Sequence, residues 1–240
     1  MIYTIDEAAS SNDVARDRRY VSGDIVWVEH QTAGRGQRGH SWSGADGLDL
    51  TFSMVVEPKS LPVSRQFLLL RATALALVDT FAACNIATRI KWTNDIYAGG
   101  RKITGVLIEN DISNGMISRS VVGIGINVNR RSFPAELPNP TSMFLESGRE
   151  FDRRSLLETF ESAMASRLEM VRTGEWDALA ARYDSLLYLK DEHATFSLPD
   201  GTVFEGVLRG TAEDGRLLVE RTDGTVNAYA FREIGLVLKK

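Results

Sequence analysis

One cysteine in 240 residues leaves Cys84 without a partner for an internal disulfide, and its apolar surroundings read as those of a small buried hydrophobe rather than a nucleophile. The N-terminal residues MIYTIDEAASSND lack the basic start and apolar run of a signal peptide. No apolar stretch reads as long enough for a membrane helix, which needs roughly 18 residues. No membrane association and a cytoplasmic location are therefore expected. Charge of one sign is also scarce: 28 Lys and Arg against 32 Asp and Glu give a net charge of −4, which argues against a general nucleic-acid binder. Internal repeats and low-complexity segments are absent. With 43% hydrophobic and 25% charged residues, the composition is that of a globular chain with one main domain and room for a small appendage.

Ile2 to Ile5 reads as a strand, and the polar run Ser10-Ser11-Asn12-Asp13 offers N-caps for a helix over Val14 to Tyr20. Ile25 to Glu29 is a second strand. Residues 31–47 then form a long glycine-rich loop with little apolar surface. Strand character returns at Leu48 to Val56, and Phe67 to Phe81 is apolar around most of its circumference, as a helix packed against a sheet would be. Arg89 to Tyr97 and Lys102 to Glu109 read as two strands about a tight turn, and Asn114-Gly115 marks a hairpin before the strand Met116 to Asn127. Phe133 to Pro140 is irregular. Ser155 with Glu158 suggests a capping box for a helix whose stripe is Leu157, Phe160, Met164, Leu168 and Val171. Another helix, Glu175 to Tyr188, leads to a boundary near residue 190. Five short strands then follow in roughly 50 residues, a pattern that fits a small β-barrel.

Four constellations carry chemistry. In Gly34-Arg35-Gly36-Gln37-Arg38-Gly39-His40-Ser41-Trp42, glycine lets backbone approach an anion and arginine supplies a forked, permanently charged donor. The loop lacks the Gly-Lys-Ser/Thr ending of a phosphate loop, and a solvated basic turn or an RNA-binding segment would share its composition. Lys91-Trp92-Thr93-Asn94-Asp95 places polar groups at the edge of an apolar strand, where they hold a ligand or simply a turn. In Arg101-Lys102-Ile103-Thr104-Gly105-Val106-Leu107-Ile108-Glu109, strict alternation puts Lys102 on one face and Gly105 and Glu109 on the other. Lys102 is then either a solvated edge residue or a fixed cation aimed at developing negative charge. Finally, Val122-Gly123-Ile124-Gly125-Ile126-Asn127 permits a flat group to lie close to backbone.

Taken in order, GRGQRGHSW, KWTND, RKITGVLIE and VVGIGINVN resemble the catalytic domain of biotin–protein ligases. The resemblance extends upstream to Ser10-Ser11-Asn12 and Gln31 and downstream into the segment around Glu205 to Gly210. It implies an α+β fold: a mixed β-sheet flanked by helices, of the class II synthetase-like kind, over residues 1–189, with an SH3-like barrel over residues 190–240. It also implies biotin and ATP as substrates, Mg²⁺ with the nucleotide, and a biotin carrier domain of a carboxylase of acetyl-CoA carboxylase type as partner. Ser10, Ser11, Asn12, Gln31, Arg35, Gly36, Gln37, Lys102 and Gly105 would bind biotin, with Arg35 and Lys102 acting in catalysis. Arg38, Trp42, Asn94, Asp95 and Asn127 would serve the nucleotide, Asp95 also holding the metal. Because the catalytic region begins almost at Met1, a DNA-binding domain is not expected; monomer and homodimer both fit.

Departures from the family pattern fall at Gln37 and His40, where arginines are common, and at Thr93, where proline is usual. The competing expectations are a lipoate or octanoate ligase of related fold, and a non-catalytic biotin- or nucleic-acid-binding protein. The ureido-matching set Ser10, Ser11, Asn12 and Gln31 favours biotin.

Overall fold

The computed structural model describes residues 1–237, with the side chain of Arg38 outside the described set. Seven strands form one mixed sheet: β1 (Ile2–Ala8), β2 (Ile25–Gln31), β3 (Leu50–Val56), β4 (Thr88–Lys91), β5 (Asp95–Ala98), β6 (Arg101–Ser113) and β7 (Met116–Ile126). Their order is β1-β2-β3-β7-β6-β5-β4, with β1 and β2 parallel and every other pair antiparallel. The central hairpin turns at Asn114 and Gly115, both at positive φ (51° and 74°), the pairing that matches the right-handed twist of the two strands.

Strand alternation divides the sheet into two faces. Leu50, Phe52, Met54 and Val56 of β3 and Val122, Ile124 and Ile126 of β7 enter the main core with helices α2 (Phe67–Ala83) and α4 (Arg153–Thr173). Phe52 meets Phe160 edge to face at 5.2 Å. The opposite face carries α1 (Ser11–Ala15) on a smaller cluster of Val26, Val28, Val55 and Val121. This second face also bears Ser53, Gly123 and Gly125, and it is where the cleft described below opens.

Several local expectations are corrected. The helix near the N-terminus is five residues long, not Val14 to Tyr20. The buried guanidinium of Arg119 donates to the carbonyls of Ala15, Asp17 and Tyr20, taking acceptors a continuing helix would need. Arg89 to Tyr97 is not one strand but β4 and β5 separated by a turn, inside which the Asn94 amide donates to the Val106 carbonyl. The cap of α4 is Asp152, which accepts from the Ser155 amide at 2.7 Å, so Ser155 and Glu158 lie within the helix. Val63–Ala83 does have the length and hydropathy of a membrane span, which corrects the expectation that no apolar stretch is long enough. It contains α2, and 78% of its apolar window is buried within the fold.

A second, antiparallel sheet of barrel-like form follows α5 (Trp176–Ser185). It consists of β8 (His193–Ser197), β9 (Val203–Thr211), β10 (Leu217–Arg221), β11 (Val226–Tyr229) and β12 (Gly235–Leu236), in the order β11-β10-β9-β8-β12. Arg71 of α2 fastens it to the larger sheet. This guanidinium is buried, donates to Thr211 Oγ1 and the Ala212 carbonyl at 2.8 Å each, and lies over the rings of Phe67 and Tyr183. Gly215 rests against the Phe67 ring so closely that a Cβ there would sit 2.3 Å from it. The core is continuous across both sheets.

Candidate functional site

Two rows of residues run across three strands beneath the cleft, and their β6 and β7 members line it. Pairing aligns Ser53, Gly123 and Leu107 in one row and Thr51, Gly125 and Gly105 in the next. Three of the six lack side chains, so the floor is flat where β6 and β7 meet. At one end, α1 presents Ser10, Ser11 and Asn12. Ser10 caps the helix, accepting from the Asn12 amide, and Gln31 Oε1 accepts from the Ser11 amide at 2.7 Å. The Ser53 hydroxyl lies 2.7 Å from Ser11 Oγ and 2.6 Å from Asn12 Oδ1. This end is a buried, mutually satisfied set of donors and acceptors.

The other end is cationic. Lys102 reaches the cleft through a device that alternation does not reveal: Ile96 pairs with Thr104 but Tyr97 pairs with Lys102, so Ile103 is a bulge. The extra residue reverses the alternation and brings Lys102 to the same face as Gly105 and Glu109, correcting the expectation that they lie on opposite faces. Lys102 Nζ is 2.7 Å from Asp95 Oδ1 and lies 5.8 Å from the Trp42 ring centroid.

The glycine-rich loop folds over this floor. Trp42 N donates to the Gly34 carbonyl and Gly36 N to the His40 carbonyl, with Arg35 and Ser41 bridged. Gly34 is required by proximity, since a Cβ there would lie 2.4 Å from the Trp42 carbonyl oxygen. The Trp42 indole lies directly on the flat step: a Cβ on Gly125 would be 2.1 Å from it, one on Gly105 3.2 Å. Arg35 pairs with Asp13 at 2.8 Å and with Glu109 at 3.2 Å. Burial works to raise the Glu109 carboxyl, but the Asn12 amide and the guanidinium groups of Arg16 and Arg35 outweigh it and hold its pKa below the usual value. The base of the loop is tied by Asp49, which is buried, pairs with Arg130 at 2.8 Å and accepts from the Ala45 amide, while Arg130 also donates to the Ser43 carbonyl.

Ser10, Ser11, Asn12, Gln31, Arg35, Gly36, Gln37, Trp42, Asn94, Lys102 and Gly105 all line the resulting cavity of about 50 Å³. Asp95 stands behind Lys102 rather than on the wall. Asn127 is not brought to the wall: it is buried, with its amide donating to the Thr141 carbonyl at 2.9 Å. The Arg38 side chain lies outside the described residues. Val106, Leu107, Gly123, Ile124 and Gly125 complete the lining; sequence reasoning read Gly123 and Gly125 only as backbone open to a flat group, and gave no role to Ser53, Asp13 or Glu109, which stand behind the wall and brace it. A serine within the apolar strand LTFSMVV and the GIG repeat of β7 were the available signals.

Against known proteins, residues 7–127 match the Biotin/lipoate A/B protein ligase family. The chain belongs to that family. A biotin–[acetyl-CoA-carboxylase] ligase of Paracoccus denitrificans is 30% identical over 199 residues, 76% of this chain and 80% of that protein. A bifunctional ligase/repressor of Bacillus spizizenii is also 30% identical, over 87% of this chain; the chain spans 65% of that relative's length. Among solved structures, the biotin protein ligase of Aquifex aeolicus in complex with biotin and ATP superposes with a TM-score of 0.85, covering 99% of each chain at 24% identity, and so shares the fold. The biotin protein ligase of Leishmania major in complex with biotinyl-5-AMP gives 0.63 at 26% identity, over 96% of this chain and 98% of that one.

Proposed function

We propose that this family member is a biotin–protein ligase that activates biotin with MgATP and transfers it to a lysine of a biotin carrier domain. The observation that carries the reading is the joining, in one cleft, of a hydrogen-bonding end made by Ser10, Ser11, Asn12 and Gln31, braced from beneath by Ser53, with a cationic end made by Arg35 and Lys102. A ureido ring needs both donors and acceptors, which the first end supplies. A carboxylate meeting a phosphate needs fixed cations, which the second end supplies.

In the first step a biotin carboxylate oxygen bonds to the α-phosphorus and the bridge to the β-phosphate breaks, releasing pyrophosphate. Lys102, brought round by the Ile103 bulge, and Arg35, carried by the loop, neutralise the charge on the reacting oxygens. In the second step the carrier amine bonds to the acyl carbon, the bond to AMP breaks, and the amine loses its proton. The loop from Gly34 to Trp42 excludes water from the mixed anhydride between the steps. Mg²⁺ enters as part of the substrate MgATP. Asp95 is the acidic side chain beside the cleft that would hold it, the phosphates completing the oxygen ligands; no group of three His, Cys, Asp or Glu suited to a metal occurs among the described residues. In the same reading Gly36 and Gln37 line the biotin carboxylate, while Asn94, Arg38 and Asn127 serve the nucleotide, Asn127 by fixing the Thr141 segment. Residues 1–189 form the catalytic domain and the described residues from 190 onward the appended barrel, and the cytoplasm is the site of action.

The test mixes pure protein, biotin, MgATP and a carrier domain. A carrier heavier by one biotin, with AMP and pyrophosphate released in equal amounts, is expected; an unmodified carrier refutes the reading. The family also embraces lipoate ligases. The polar hydroxyl-and-amide end favours biotin, so excess lipoate should fail to compete with labelled biotin.

A further inference from the structure

Glu109 stands where two parts of the site meet. Its Oε2 accepts from Asn12 Nδ2 at 2.7 Å and from Arg35 Nη2 at 3.2 Å, and its Oε1 accepts from Arg16 Nη2 at 3.0 Å. Asn12 is buried, and its Oδ1 is engaged by the Ser53 hydroxyl. With a pure acceptor on one side of the amide and a hydroxyl on the other, the Asn12 amide has one orientation. Arg35 is the loop cation, and its second partner is Asp13, which follows Asn12 directly. One carboxylate oxygen thus joins a buried residue of the polar end to the cation of the loop.

We propose that Glu109 is a positioning residue that couples the two ends: it fixes the Asn12 amide and, with the same carboxylate, holds Arg35 over the cleft. A ligand that engages Asn12 steadies Glu109, and Glu109 then steadies the loop. The identity of that ligand rests on the ligase reading; the coupling itself does not. The substitution Glu109→Gln separates the two duties. Glutamine keeps an acceptor for Asn12 but loses the charge that holds a guanidinium. Glu109→Ala removes both.

The experiment follows tryptic cleavage of the Arg35–Gly36 bond by mass spectrometry, with and without saturating biotin, beside calorimetric titration of biotin. In the wild type, biotin slows cleavage. In Glu109→Gln, ligand-free cleavage rises about two- to fivefold, the scale of a partly exposed ion pair; biotin affinity stays within about threefold, and biotin no longer slows cleavage. Glu109→Ala also binds biotin at least about tenfold more weakly, having lost a hydrogen bond to a buried amide. Asp13→Asn, at an exposed position, speeds ligand-free cleavage yet keeps the protection by biotin, because Glu109 is intact. The proposal is overturned if Glu109→Gln is cleaved and protected as the wild type is. It is equally overturned if Asp13→Asn abolishes protection, and that arm stands even where the Glu109 variants fold poorly. Wild-type protein that binds no biotin sinks the ligase reading instead, while the ligand-free comparison still decides whether Glu109 holds the loop.

Discussion

Lys102 Nζ lies 2.7 Å from Asp95 Oδ1, and the two residues reach one another only because Ile103 is bulged out of the β5–β6 register. The pair is partly exposed, so its contribution to stability is small, about 0–1 kcal/mol. Its value is chemical: an ammonium group is held at the cleft by a carboxylate without being buried.

Lys102→Ala should therefore lower adenylate formation by about 10²–10³-fold, the scale of losing one fixed charge-stabilising donor. Its thermal midpoint should stay near that of the wild type. Pyrophosphate release and a thermal melt on the same sample check both halves. Near-normal release would remove Lys102 from the mechanism.

The floor glycines make a second, internally controlled prediction. A Cβ at position 123 would stand 2.2 Å from Asn12 Oδ1, whereas one at 125 would strike the Trp42 indole. Gly123→Ala should raise KM for biotin and Gly125→Ala should raise KM for ATP, each by the factor corresponding to about 1–3 kcal/mol of overpacking. Gly105→Ala, with 3.2 Å to the indole, should be the mildest of the three. Equal effects on both substrates from each variant would contradict the assignment of the two ends.

The buried pair Asp49–Arg130 anchors the loop and should be costly to break from one side. Arg130→Met leaves a buried carboxylate unpaired and is expected to cost about 3–5 kcal/mol. Adding Asp49→Asn in that background should restore part of the loss. Denaturant unfolding of the two single variants and the double variant measures the coupling; strict additivity would deny it.

At the outer edge of the same loop, His30 Nδ1 lies 2.7 Å from both carboxylate oxygens of Asp46, and this hydrogen bond and charge hold its pKa above 6.5. Because the folded value exceeds the unfolded one, the clasp contributes fully below pH 6.5 and is lost as pH rises through the raised value. Titration followed by NMR should place His30 above 6.5, and Asp46→Asn should lower it. An unchanged value would show that the pair does not form in solution.

How much of this was legible beforehand depended on whether neighbours in sequence decide a feature. Asn114-Gly115 announced its hairpin, and the apolar circumference of Phe67 to Phe81 announced a buried helix, since both are local. That Ser10, Ser11, Asn12, Gln31, Arg35 and Lys102 line one cavity was foreshadowed by the order of their motifs. The bulge at Ile103 was not, because counting by twos assumes an unbroken ladder and the register is set by β5. Nor was the shortness of α1, which Arg119 enforces from 104 residues away at Ala15. Glu109, at the end of an apolar run, was given a strand face but no role; its partners Asn12 and Arg35 come from far earlier in the chain. The resemblance implied a nucleotide role for Asn127, yet its amide donates to the Thr141 carbonyl.

The seating of Arg71 against Thr211 and Ala212 has a bearing on how such a chain is inherited and handled. A fragment ending near residue 190 would strand a guanidinium, together with the rings of Phe67 and Tyr183, on a newly wetted surface. Melting is then expected to be a single event for both sheets, and the C-terminal fifth cannot be exchanged with another protein's module unless α2 is exchanged along with it.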